Sequence, residues 1–249
     1  MMFEFGDVAD DFFVNLNLQT TLALPDSRET VLQFCEAVQR DFPAMTSFYQ
    51  RETGEYVLEG DREEGSYSWL ELQTNRLTAG SFNPSTPDEA LALHKWLLDR
   101  SVYFLGISGL DVECLDVLFG FNLDYRGNRD AIVASALLGD SPLAALVGET
   151  AGGCVEFEPG IVVALGEDCY MQARLSLETR SSSYQVRTGQ YDDEPISVYF
   201  TLRRYPTPGQ VINMTESLAD QTMTCQDLVR RVVIPQIVRP IAMAIAAGQ

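Results

Sequence analysis

The stretch Val14-Asn15-Leu16-Asn17-Leu18-Gln19-Thr20-Thr21-Leu22-Ala23-Leu24 sets Val14, Leu16, Leu18, Thr20, Leu22 and Leu24 against Asn15, Asn17, Gln19, Thr21 and Ala23. A period of two marks a β-strand with one buried face. Further along, Leu115, Val117, Phe119, Phe121 and Leu123 repeat the alternation against Asp116, Leu118, Gly120, Asn122 and Asp124, less cleanly because Leu118 breaks the polar face. The two strands read as the openings of two copies of one unit.

Working outward, each opening strand is followed by a helix. Asp26 three residues before Glu29 fits a capping box, and Val31, Leu32, Phe34, Cys35 and Val38 fall on one helical face. In the second copy Asn128 can cap a shorter helix carrying Ile132, Val133, Ala136 and Leu137. Gly139-Asp140-Ser141-Pro142 breaks it before one more helical turn through Leu146. Four short strands are then predicted in each copy: 45–51, 55–59, 67–74 and 76–82 in the first, and 154–158, 161–165, 170–179 and 196–205 in the second. Strands this close can be joined only as antiparallel hairpins, because a parallel return needs a crossover of a dozen or more residues. Each copy closes with a helix. Thr86-Pro87-Asp88-Glu89 opens the first; Thr224-Cys225-Gln226-Asp227 opens the second, in which Pro235 and Pro240 are expected to cause kinks.

The predicted order, βαββββα twice, resembles the order of elements in the saddle-shaped fold of the TATA-binding protein and in helix-grip domains. No sequence motif accompanies the resemblance, so it carries no functional residue to this chain. The fold class expected is α+β, with antiparallel sheets, packed helices and an internal duplication with pseudo-two-fold symmetry. The first half spans 1–105 and the second 106–249, packed as one compact body. With 249 residues, 46% of them hydrophobic, the chain can bury a core without disulfides or metals.

Charge and composition narrow the function classes. The net charge is −19 and Lys95 is the sole lysine, so an acidic body that repels phosphate backbones is expected, with no nucleic-acid partner. Glu4, Asp7, Asp10 and Asp11 precede the first basic residue, Arg28, the reverse of a secretory leader, and predict a cytoplasmic protein. Arg230, Arg231 and Arg239 interrupt the apolar closing helix, which argues against membrane insertion. Cys35, Cys114, Cys154, Cys169 and Cys225 form no CxxC pair and read as reduced thiols. Cys225, in the first turn of the predicted last helix, is the one candidate for a lowered pKa.

Little catalytic chemistry is on display. His94 is the only histidine and falls mid-helix, so a histidine metal cluster is impossible and any triad would need this residue as its base. Gly106-Ile107-Ser108-Gly109 falls one residue short of a nucleophile elbow, and no Walker A loop or GxGxxG occurs. The remaining catalytic device is a pair of same-face carboxylates, Glu156 and Glu158, with Glu71 in the other half.

The polar connection 180–195 is long enough to be functional, disordered or a continued strand. Tyr184, Arg187, Tyr191, Asp192 and Asp193 give it the aromatic, arginine and acidic mixture of an interface, and are the candidate binding residues. The function expected is that of a non-catalytic adaptor or chaperone-like binding protein with no metal and no cofactor. It would recognise a protein partner through its acidic surface and this loop. The alternative is a small-molecule carrier or carboxylate-based hydrolase with a cavity between sheet and helix. The sequence leaves the oligomeric state open.

Overall fold

The computed structural model describes residues 8–139, 141–150 and 154–248, so Glu4, Asp7 and Asp140 of the sequence reading lie outside the described residues. The first half supplies β1 (Asp11–Thr20), α1 (Arg28–Asp41), β2 (Ser47–Gln50), β3 (Tyr56–Glu59), β4 (Tyr67–Gln73), β5 (Arg76–Phe82) and α2 (Pro87–Phe104). The second supplies β6 (Val112–Leu123), α3 (Arg129–Leu137), α4 (Pro142–Gly148), β7 (Gly160–Ala164), β8 (Met171–Glu178), α5 (Ser183–Thr188) and β9 (Ile196–Arg204). It ends with α6 (Met214–Leu228), a π-helical stretch (Val229–Val238) and α7 (Arg239–Gly248). This is an α+β protein. The described strands form one sheet in the order β2-β3-β4-β5-β1-β6-β9-β8-β7, antiparallel throughout.

The centre of the sheet is the pair whose alternation was legible in the sequence. β1 and β6 run antiparallel from Asp11↔Asn122 to Thr20↔Val112, with a bulge after Gln19. In β1, Phe12, Val14, Leu16, Leu18 and Thr20 are buried while Asp11, Phe13, Asn15, Asn17 and Gln19 are half-buried. The strand stops at Thr20 rather than Leu24. There the Thr20 hydroxyl donates to the Leu22 carbonyl and its N–H to that of Asn75, turning the chain and leaving Leu22 exposed.

The helices cover the face carrying Val14, Leu16 and Leu18, joined there by Phe119, Phe121, Val198 and Leu202. Phe34, Leu93, Leu97, Cys225, Val229 and Ile241 meet them from the helix layer. Each such side chain, fully buried, contributes roughly 1.5–3 kcal/mol of transfer free energy. α2 rests on β1 and β5, and α6 on β6 and β9. Gln221 pins α6 to the sheet, its Nε2 donating to the carbonyls of Leu115 at 2.8 Å and Leu202 at 2.9 Å.

The structure corrects the sequence reading in several places. Residues 154–158 are not a strand: the Phe157 N–H donates to Asp130 Oδ1 and Glu158 turns to Thr179, so among the described residues the second half has one strand fewer than the first. Ser27, not Asp26, caps α1. The closing helix begins at Met214, capped by Asn213, so Thr224 and Cys225 lie in its interior rather than at its start. Pro235 falls within the π-helical stretch, whose wider turn carries a residue that has no N–H to donate. Pro240 occupies the first turn of α7.

Candidate functional site

Side chains alternate along each strand, so the registers place Phe13, Asn15 and Asn17 of β1 on the face opposite the helix-covered core. Phe82 and Thr78, Asn122 and Asp116, and Tyr199 and Arg203 share that face from β5, β6 and β9. Two glycines shape its centre. A β-carbon on Gly120 would overlap the Phe13 ring, and one on Gly80 would meet Trp69 and Asn15 Oδ1. The rings therefore lie down across bare backbone. Phe13 stacks on Phe82 at 6.2 Å and meets Tyr199 edge-on at 6.0 Å, and Tyr67 stacks on Phe82 at 5.4 Å.

These residues floor a hollow of about 320 Å³ lined by Phe13, Asn15, Trp69, Phe82, Asn122, Ser197 and Tyr199, with Arg180, Glu194 and Pro195 at its rim. Arg180 is fixed over one end: Nη1 donates to Ser197 Oγ at 2.8 Å, and Nη2 to Tyr199 OH at 2.7 Å and Glu178 at 2.9 Å. Ser197 in turn donates to Asn122 Oδ1 at 2.7 Å. Asn15 Oδ1 is buried without a hydrogen-bond partner, packed over Gly80 beside Trp69. Beside it, Asn17 Nδ2 donates to Asp116 Oδ2, and Asp116 accepts both Nε and Nη2 of Arg203 at 2.7 Å. Those hydrogen bonds hold the Arg203 guanidinium above its usual pKa. Burial, assisted by the Asp116 carboxylate, pushes the neighbouring Cys114 thiol up to about 11.

The 180–195 connection borders this hollow. It is neither a continued strand nor an open loop: Ser182 and Gln185 form a capping box that opens α5, and Gly189 ends it with positive φ. Tyr184 is 60% exposed, and the Arg187 guanidinium lies over its ring at 5.6 Å. Tyr191 is half-buried. Asp192 Oδ2 accepts from Gln185 Nε2 at 2.7 Å. Asp193 takes a two-pronged ion pair from Arg126, which holds its carboxyl below the usual range. Of the five candidates, the structure joins Tyr184 to Arg187 and pairs the exposed Asp192 with Gln185 and the exposed Asp193 with Arg126.

The buried Arg129 secures the whole segment, donating to the carbonyls of Asp192 and Glu194 at 2.9 Å and of Arg180 at 3.3 Å. The sequence reading missed Arg180 and the sheet-face residues. The available signal was the character of the odd positions of β1, Phe13, Asn15, Asn17 and Gln19, which are aromatic and amide rather than charged.

The catalytic candidates separate. Glu158 Oε1 accepts from the Thr179 N–H and hydroxyl, whereas Glu71 pairs with Arg51 at 3.0 Å on β4. His94 is fully buried, both ring nitrogens lack a partner, and burial drives its pKa down to about 3. Cys225 is buried and its thiol pKa is raised, opposite to the shift expected at a helix start. Among the described residues no group of three or more His, Cys, Asp or Glu side chains is placed to hold a metal ion, and no helix is long and apolar enough to cross a membrane.

No family model matches the chain, and no curated protein matches it. Among solved structures, a rolling circle replication initiator protein from Geobacillus stearothermophilus is similar over 88% of this chain and 78% of that chain, at 8% identity and a TM-score of 0.23.

Proposed function

We propose that this chain is a non-catalytic binding or adaptor protein that recognises a protein partner on the outer face of its sheet, with the 180–195 segment as the rim. The observation that carries the reading is the aromatic and amide hollow at the sheet centre, floored by Phe13, Trp69, Phe82 and Tyr199. Half-buried aromatics beside a fixed arginine are what protein interfaces use as anchors. The acidic body favours a partner with a basic surface. We further propose a cytoplasmic setting, supported by five free cysteines, and a duplicated unit. The duplication is supported by the strand order, which runs outward from β1 through β5, β4, β3 and β2, and from β6 through β9, β8 and β7.

A second reading has its own observation. A hollow lined by rings and by the amides Asn15 and Asn122 suits a small planar ligand with polar edges. In that version the ligand sits on the outer face rather than beneath the helices, where Phe34, Phe119 and Phe121 fill the space.

The test is affinity capture from the native lysate at low and moderate salt with wild type, His94→Leu and a Trp69→Ala, Tyr199→Ala double variant. The expected result is one stoichiometric protein retained by wild type and His94→Leu and lost from the double variant. Equal capture by the double variant, or no captured protein at either salt, overturns the protein-partner reading.

A further inference from the structure

We propose that the free edge of β7 takes an extended segment of the partner, apolar at its centre and rich in arginine or lysine at both ends, as an added strand of the sheet. The proposal rests on the reading that this chain recognises a polypeptide and adds a second contact to the outer-face hollow. Among the described residues β7 ends the sheet, two strands beyond the hollow's edge at β9, or about 10 Å.

Every residue from Gly160 to Cys169 is exposed, including Ile161 at 58%, Val162 at 54% and Val163 at 43%. Exposed edges are normally protected by charge, proline or a bulge within the strand; Gly160-Ile161-Val162-Val163-Ala164 has none of these. The hydrogen-bond phase is fixed. The Leu165 N–H donates to Met171 and the Leu177 N–H to Pro159, so odd-numbered residues bond inward to β8. Gly160, Val162 and Ala164 therefore turn their N–H and C=O groups outward. Ile161 and Val163 lie on the helix side, opposite Leu175 and Ala173, and offer an apolar row for two alternate side chains of an added strand.

The chain's own candidate for this position is held elsewhere. Residues 154–158 are tied to α3 by Asn128 Nδ2 on the Cys154 carbonyl at 2.9 Å and by the Phe157 N–H on Asp130 at 2.7 Å.

Charge selects the occupant. Glu156 and Glu158 flank one end of β7, and Glu167 and Asp168 the other, all exposed. A second copy paired antiparallel about Val162 would bring its Asp168 opposite Glu156 at each end, between bodies each carrying −19. Like charges directly opposite destabilise a ladder. A segment with basic ends meets both acidic flanks.

The probe is a fluorescent peptide, RRVTITVRR, with EEVTITVEE and an alternately N-methylated RRVTITVRR as controls, measured by fluorescence anisotropy. Val162→Pro removes an outward donor while leaving the bonds to β8 intact, so the unfolding midpoint should hold. Expected are binding of the basic peptide alone, weakening with salt, and a loss of about tenfold or more in Val162→Pro. Binding indifferent to Val162→Pro or to N-methylation overturns the proposal. So does a wild-type dimer that Val162→Pro renders monomeric by sedimentation, which would assign the edge to a second copy. Failure of the peptide to bind, with the captured partner still lost on Trp69→Ala, Tyr199→Ala, removes the edge contact and leaves the outer-face reading standing.

Discussion

At the scale of single residues, His94 shows what a buried ionisable group costs. Its pKa falls from 6.5 to about 3 because burial penalises the imidazolium, and neither ring nitrogen has a hydrogen-bond partner. Below pH 6.5 the unfolded chain binds a proton that the folded chain refuses until about pH 3. Stability therefore declines as pH falls through that window, by at most about 1.4 kcal/mol per pH unit. His94→Leu should remove this component and raise stability at neutral pH by about 1 kcal/mol. Urea midpoints of both proteins at pH 7, 6 and 5 check this: the gap should widen towards pH 5, and a constant gap would refute the assignment. The same burial ends any role for His94 as a catalytic base. Gly120 is a second position where one atom matters, since the Phe13 ring occupies the space of its missing side chain. Gly120→Val should displace that ring and cost about 1–3 kcal/mol by overpacking, read from the denaturation midpoint.

At the scale of elements, the segments with strong periodicity were legible and those fixed by distant contacts were not. The sequence predicts β5 at its full bounds, β4 to within a residue and the start of α2, because alternation, turn residues and the Thr86 cap are local signals. Val155 and Phe157 alternate with charged residues as a strand would, but the buried Asp130 captures the Phe157 N–H from 27 residues away. The start of α6 did carry a local signal that the reading passed over, Asn213 followed three residues later by Glu216. The 180–195 segment depends on Arg129, whose three carbonyl bonds no sequence pattern announces. Arg129→Met should leave those carbonyls unpaired and cost about 2–4 kcal/mol. Hydrogen exchange should show protection lost first across α5, with β1 and β6 unchanged; uniform loss over the sheet would mean that Arg129 supports the core rather than this segment.

At the scale of the whole molecule, the two halves are joined along the β1–β6 ladder inside a common core, an arrangement that the element order predicted from sequence could suggest but not specify. Pairing between halves is a long-range choice, set here by two strands that each carry an apolar row towards the helices. A shared central ladder predicts one cooperative unfolding transition, and the distribution of tryptophan permits a direct check. Trp69 and Trp96 both belong to the first half, so indole fluorescence reports that half while far-UV circular dichroism reports the whole. Val198→Ala removes buried apolar volume in β9 of the second half and should cost about 1–3 kcal/mol. If the halves unfold together, the fluorescence midpoint moves by the same amount as the dichroism midpoint. If they unfold separately, fluorescence stays where it was and the dichroism curve splits. Salt supplies an independent axis: with a net charge of −19 opposing compaction, both midpoints should rise together as ionic strength increases from low to physiological, where screening shortens to about 8 Å. A rise in one signal alone would place the repulsion within one half and break the single-body description.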